Sequence, residues 1–231
     1  TISQWDKAIE VLENAVASET DTDEAFGVRA RCKSLLGELL ARHRGDVDRG
    51  LQLLETARSE CEQAGNTDGL IRSYSSISSV YISKGDLAQG EKYLEQQITL
   101  ATDNQSLTWL SNGLLKLGHV HSQRGNLTDA EEFYLRALDI AQELDRAQTL
   151  ASVYFSLGVL YSNLSDIPKA LHHYQLLYQK AKQIGDVSLE SETIISIGNL
   201  YGQDGEFSSA IRCCEYGLMM SSQLDEQLGS S

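Results

Sequence analysis

The chain is poor in the residues that break helices or cross-link folds. It contains one proline, Pro168, and four cysteines, and no two cysteines are spaced as Cys-x-x-Cys. This cysteine usage is typical of a reduced intracellular protein, and we therefore expect a cytoplasmic location. No apolar run approaches the ~20 residues that a helix needs to cross a bilayer, so we expect no membrane insertion.

Basic residues are also scarce. The sequence has 19 Lys and Arg against 33 Asp and Glu, which gives a formal net charge of −14. Proteins that bind nucleic acid or an anionic membrane surface need a basic footprint, so this balance disfavours both as partners.

Patterns that carry catalysis or hold metals are absent from the sequence. There is no Gly-x-Ser-x-Gly, no phosphate-cradling glycine loop and no evident Cys–His arrangement, and we therefore expect no enzyme. The pairs His119/His121 and His172/His173 have spacings whose side chains diverge on a helix, so we expect neither a metal nor a cofactor.

A fixed pattern of small and large residues recurs along the chain. In the stretch Ser111–Leu144, Gly118 is followed by small or large residues at offsets of 7, 12, 16 and 19. Copies of the same pattern, 40 residues apart, start at Ser78, Gly158 and Gly198, and an earlier copy with one extra residue starts at Gly37. A repeat of constant length predicts stacked helix pairs that share one continuous core.

Each repeated position has a physical reason. Two antiparallel helices approach closely only where one offers a small residue, which Gly118 supplies in the first helix and Ala130 in the second. Large apolar residues lie four before, one before and three after the first small residue, and these positions share one helix face. Glycine then ends the first helix and Asp or Asn caps the next, as at Gly85-Asp86.

This pattern resembles the tetratricopeptide repeat family over roughly residues 4–222. The matching positions include Gly118, Gly125, Ala130, Tyr134, Ala137, Tyr161 and Tyr201. The 40-residue copies, the Gly-Asp connectors and the run Ile197–Tyr201 are most similar to the Leu-Gly-Asn-repeat spindle-orientation adaptors and to kinesin light chains. The resemblance implies an all-α, right-handed superhelical solenoid of antiparallel helix pairs.

We expect a single solenoid domain over residues 1–231. An outer helix at 4–17 is followed by five helix pairs, which we predict at 26–63, 68–103, 107–143, 147–183 and 187–222. Because the chain starts at Thr1 and no polar capping helix follows the last pair, we expect it to be part of a larger protein.

The first helix of each pair is expected to line the concave wall, where a partner segment can bind. The candidate partner-binding residues are Arg31, Arg42, Arg72, Ser75, Ser79, Asn112, Lys116, His119, Gln123, Ser152, Phe155, Asn163, Glu192 and Asn199. Residues 29–49 hold six basic residues against three acidic ones. We therefore expect an acidic part of the partner near Arg31, Arg42 and Arg72, and an apolar anchor near Phe155. Alternatively, these polar residues are solvated and the arginines pair with nearby acids.

The sequence thus favours a non-catalytic protein–protein interaction scaffold that binds an extended or helical protein segment. Two alternatives remain open. One is a regulatory sensor domain that controls an attached output domain. The other is an obligate subunit that docks, or self-associates, through the exposed ends of the solenoid.

Overall fold

The computed structural model describes residues 2–17 and 23–229, with side chains at 5–17 and 27–222. These residues form helices and no strand. The helices are α1 (Ile2–Ala17), α2 (Asp23–Leu39), α3 (Val47–Gln63), α4 (Thr67–Ser83), α5 (Leu87–Asp103), α6 (Leu107–Gln123), α7 (Leu127–Leu144), α8 (Ala147–Asn163), α9 (Ile167–Ile184), α10 (Val187–Gln203) and α11 (Phe207–Gly229). The predicted fold class, an all-α array of helix pairs, is confirmed. The last helix runs further than the end expected near residue 222.

The chain forms two compact units, Thr1–Val120 and His121–Ser231. In the first unit α2 packs on α3 and α4 packs on α5, and in the second unit α8 packs on α9 and α10 packs on α11. Connectors of three residues join the helices within these pairs except α2 and α3, and such short loops make the neighbours antiparallel. The prediction of one continuous domain stays a prediction.

The recurring small residues lie where paired helices touch. A Cβ added to Gly37 on α2 would lie 2.7 Å from the Gly50 carbonyl oxygen, and one added to Gly50 on α3 would lie 2.6 Å from the Gly37 carbonyl oxygen. At Gly158 on α8 an added Cβ would lie 2.7 Å from the ring of Tyr174 on α9. Since real Cβ atoms do not approach this closely, only glycine permits these contacts.

The connectors follow the predicted chemistry. Gly85 has a φ of 84° and Asp86 accepts a hydrogen bond from the backbone N–H of Gln89, which caps α5. The second unit repeats the arrangement, although Ser165 takes the left-handed conformation there with a φ of 58°. Asp166 then caps α9. Pro168 falls in the first turn of α9, where its missing N–H leaves no intrahelical bond unmade.

The extra residue of the Gly37 copy is absorbed by a change in helix type. The chain from Leu40 to Arg44 forms a π-helical turn at the end of α2. A π-turn accommodates one residue more than the α-helical path. The N–H of Asp46 then donates to the carbonyl of Leu40 at 3.1 Å, and in the next copy Asp86 closes onto Tyr81 at 2.9 Å. Both copies therefore close onto the equivalent carbonyl.

The core of the first unit lies between consecutive pairs. Leu54 of α3 packs with Ile77 and Val80 of α4 in a buried cluster. Ile9 of α1 packs with Leu36 and Leu40, so α1 packs against α2 and the π-turn that follows it. Because one face of α2 and of α4 is buried in these contacts, the opposite face of each helix points away from the core. None of the helices in the described part of the chain is both long and apolar enough to cross a bilayer.

Candidate functional site

A cleft of about 230 Å³ opens in the first unit over α2, α4 and α6. It is lined by Arg31, Ser34, Leu35, Glu38, Arg72, Ser75, Ser76, Trp109 and Asn112. These three helices are each the first of a pair. The cleft therefore brings together four of the candidate partner-binding residues, which are Arg31, Arg72, Ser75 and Asn112.

Two arginines give the cleft its positive charge. Arg31 is exposed, and its guanidinium makes no hydrogen bond or ion pair with any described residue. Arg72 lies over the Trp109 ring, with its guanidinium carbon 5.2 Å from the ring centroid. Its Nη2 donates to Asp68 Oδ2 at 3.3 Å. The two arginines therefore differ: Arg31 is available to a ligand, while Arg72 is already engaged.

Asp68 holds two groups of the cleft at once. Besides Arg72, its carboxylate binds Trp109, whose Nε1–H donates to Asp68 Oδ1 at 2.8 Å. Asp68 lies in the first turn of α4 and Trp109 in the first turn of α6. One exposed carboxylate thus ties α4 and α6 together beside the cleft.

A polar network lies beneath the cleft. The Lys116 ammonium donates to the Ser75 carbonyl at 3.1 Å, to Ser75 Oγ at 2.8 Å and to Ser79 Oγ at 2.7 Å. Ser75 Oγ in turn donates to Asn112 Oδ1 at 3.3 Å. Burial lowers the pKa of Lys116 to about 8, an effect that Glu38 opposes and Arg42 reinforces. Lys116, Ser75 and Ser79 therefore serve mainly to join α4 to α6.

The basic stretch at residues 29–49 is largely neutralised in the fold. Arg44 pairs with Asp6 and Arg49 pairs with Glu13, both at 2.9 Å, and both acids lie on α1. Lys33 pairs with Glu60 on α3. For Arg44 and Arg49 the alternative interpretation, that the arginines pair with nearby acids, is the one observed. Arg42 is exposed but does not line the cleft.

The other candidate residues lie on exposed helix surface. His119 and Gln123 are exposed near the end of α6. In the second unit Ser152, Asn163, Glu192 and Asn199 are exposed on α8 and α10. Phe155 on α8 keeps 45% of its surface exposed.

Sequence reasoning missed part of the cleft. Leu35 and Ser76 lie two residues before Gly37 and Ser78, as the candidate residue Lys116 lies two before Gly118, so this register is sufficient to identify them. Trp109 and Asp68 lie in the first turns of their helices, where no repeated position draws attention to them. Their pairing joins residues 41 positions apart, and no local signal indicates it.

The histidines take part in packing. His121 lies 3.3 Å from the Asp129 carboxylate through Nδ1 and contacts the Phe133 ring. His173 stacks on Tyr161 with ring centroids 5.3 Å apart, and burial lowers its pKa to about 4. Within the described residues, no group of three or more His, Cys, Asp or Glu side chains is arranged to hold a metal ion.

Comparisons with known proteins agree with the helix pairs. Models of the tetratricopeptide repeat match residues 71–104 and 109–183. The structure of BtubC from P. vanneervenii is similar at 21% identity with a TM-score of 0.81, over 97% of this chain and 91% of that one. Kinesin light chain-like repeats from Podosopora anserina are similar at 15% identity and a TM-score of 0.70, over 87% and 98% of the two chains. No curated protein sequence matches the chain.

A further similar structure belongs to a much longer protein. It is a signal transduction ATPase of Pyrococcus horikoshii that carries a tetratricopeptide repeat sensor, with 14% identity and a TM-score of 0.73. The match covers 97% of this chain and 36% of that one. At these identities the solved structures bear on the fold alone.

Proposed function

We propose that the chain, whose residues 71–104 and 109–183 match models of the tetratricopeptide repeat, is a non-catalytic scaffold that binds a segment of another protein on the first helices of its pairs. The cleft over α2, α4 and α6 is the observation that carries this proposal. A cleft built from the first helices of successive pairs can follow an extended or helical segment along the array.

The chemistry of the cleft favours a segment with an acidic side chain. Arg31 and Arg72 face it in a protein whose net charge is −14. Guanidinium groups bind carboxylates through charge-assisted hydrogen bonds, which are about twice as strong as neutral ones. Among the described residues Arg31 has no hydrogen-bond or ion-pair partner, so an incoming carboxylate displaces none of their side chains from it. Glu38 lines the same cleft and limits the number of acidic side chains that fit there.

Other cleft residues suit the backbone and apolar parts of such a segment. Asn112 uses its Oδ1 to accept from Ser75 and Gln97, while its Nδ2 makes no hydrogen bond to any described residue. That amide can donate to a peptide carbonyl. Leu35, which is 51% exposed, and Trp109 supply apolar walls. In the second unit the exposed Phe155 is the proposed contact for an apolar anchor.

Charge reversal on the cleft tests the proposal. Proteins captured from a cell lysate on the purified chain are identified and mapped as overlapping peptides, and the affinity of the mapped peptide is measured by calorimetry. The double variant with Arg31→Glu and Arg72→Glu is expected to bind an acidic peptide with an affinity at least about tenfold lower, because two charge-assisted contacts become repulsive. The paired change Arg136→Glu with Arg212→Glu, on exposed surface of α7 and α11, alters the net charge equally.

The outcome separates the proposal from its alternatives. If both double variants weaken binding equally, or if neither weakens it, the cleft is not the binding site. Capture of large folded partners without any binding peptide would favour an obligate subunit instead. That alternative has its own observation, since α11 exposes 69% of Phe207, 57% of Ile211 and 63% of Leu218. A regulatory sensor domain is supported only by the likeness in fold to the Pyrococcus horikoshii protein.

A further inference from the structure

We infer that Asp68 determines how tightly and how selectively the cleft binds an acidic side chain. This inference rests on the proposed function, because it concerns the same cleft. Asp68 does not line the cleft itself. It acts by occupying, with its own carboxylate, two groups that an incoming carboxylate would otherwise bind.

The contacts of Asp68 support this role. Oδ1 accepts from the Trp109 indole at 2.8 Å, and Oδ2 accepts from Arg72 Nη2 at 3.3 Å. Both donors belong to residues that line the cleft. Among the described residues, neither the Trp109 indole nor the Arg72 Nη2 has another hydrogen-bond acceptor. Asp68 therefore acts as an internal substitute for a ligand carboxylate.

The Asp68 carboxylate is also able to leave these donors. Its side chain is 66% exposed, so water can solvate it when it turns outward. Exposed ion pairs of this kind contribute little stability, and α4 and α6 are also joined by the hydrogen bonds from Lys116 to Ser75 and Ser79. Displacement of Asp68 therefore does not require the unit to open.

Selectivity follows from this competition. A carboxylate entering the cleft must displace Asp68 from Arg72 or remain close to a like charge, and either event lowers its affinity. A neutral segment meets no such repulsion. An acidic segment therefore binds well only when its remaining contacts, with Leu35, Asn112 and Arg31, compensate for this competition. Asp68 thus discriminates against simple anions in favour of an acid that is carried on a fitting segment.

The substitution Asp68→Asn tests the inference, because asparagine keeps an oxygen for the Trp109 indole and removes the charge. The probes are two synthetic peptides, acetyl-Leu-Glu-Leu-Glu-Leu-amide and its counterpart with Gln in place of Glu. Binding is followed by the indole N–H resonance of Trp109. The chain has only two tryptophans, so Trp5→Phe assigns the signal. The control Asp139→Asn makes the same change in net charge at an exposed site on α7.

We expect Asp68→Asn to bind the Glu peptide about two- to fivefold tighter, the range that an exposed ion pair supports, and the Gln peptide with unchanged affinity. Asp139→Asn should change neither. Equal or weaker binding of the Glu peptide to Asp68→Asn overturns the inference, as does an equal gain from Asp139→Asn. Failure of the Glu peptide to bind either protein also overturns it.

The same measurements separate this inference from the proposed function. If Arg31→Glu with Arg72→Glu abolishes binding of the Glu peptide while Asp68→Asn leaves it unchanged, the acidic-segment cleft stands and the role of Asp68 is lost. If the double arginine variant binds the Glu peptide as tightly as the original protein does, the proposed function of the cleft fails as well.

Discussion

Because the Lys116 ammonium is buried, we expect the folded state to gain stability at alkaline pH. Its three hydrogen bonds go to Ser75 and Ser79, and it has no ion pair with any described carboxylate. Burial lowers its pKa from 10.5 to about 8. Between these two values the unfolded chain binds the proton and the folded chain does not. Raising the pH through this window therefore stabilises the folded state relative to the unfolded one.

The size of the effect follows from the pKa difference. Each unit corresponds to about 1.4 kcal/mol, and about two units of the window lie below pH 10. The contribution of Lys116 to the free energy of unfolding should therefore become more favourable by on the order of 2–3 kcal/mol between pH 7 and pH 10. Other groups titrate in this range as well, so the contribution has to be isolated by comparison with Lys116→Met.

Tryptophan fluorescence during urea unfolding is the suitable assay. Both tryptophans, Trp5 and Trp109, lie in the first unit, which also contains Lys116. The signal therefore reports that unit and not the second. The difference in unfolding free energy between the original protein and Lys116→Met should rise with pH by the stated amount. Lys84→Met, at the exposed end of α4, controls for the loss of a positive charge.

A difference that stays constant from pH 7 to pH 10 would refute this reasoning. It would mean that the Lys116 ammonium is as well stabilised in the folded state as in water, either because water reaches it or because its three oxygen acceptors offset the cost of burial. A difference that falls with pH would mean that an acid holds the ammonium charged, and Glu38, whose charge acts to raise the pKa of Lys116, is the candidate.

Two further predictions concern the repeat itself. Gly37→Ala should destabilise the first unit by ~1–3 kcal/mol, because its Cβ would lie 2.7 Å from the Gly50 carbonyl oxygen. Gly27→Ala on the same helix, where the nearest atom is 4.0 Å away, should be neutral or stabilising by up to ~1 kcal/mol; equal losses in urea unfolding would contradict the packing argument. Asp166→Ala should cost ~1 kcal/mol, because it removes the cap of α9. Asn126→Ala should cost less, since Asn126 makes no side-chain cap bond; circular dichroism during unfolding measures both.

The fold was predictable because one pattern repeats five times. Each copy supplies the same small residue, apolar face and connector, so an error in one copy is corrected by the others. The predicted pair at 68–103 differs from α4 and α5 by one residue at its start. The exception was the Gly37 copy, where the sequence shows an extra residue but not the π-turn that holds it.

The cleft was predictable only in part. Register places Arg31 and Arg72 on the same kind of helix face, and both line the cleft. The partners of the charged residues were not predictable, because a periodic pattern does not indicate which charged side chains come into contact. The basic stretch at 29–49 loses much of its charge to α1 and α3. The Asp68–Trp109 contact depends in the same way on how two helix ends meet in space.

The π-turn at Leu40–Arg44 also indicates how an array of this kind tolerates changes in length. The inserted residue is confined to the end of one helix. The hydrogen bond from the Asp46 N–H to the Leu40 carbonyl returns the chain to the register of the other copies before α3 begins. Copies further along the chain are therefore unaffected by it. Single-residue insertions at the ends of first helices should accumulate during evolution without loss of the fold, whereas insertions beside Gly37 or Gly50 should be eliminated.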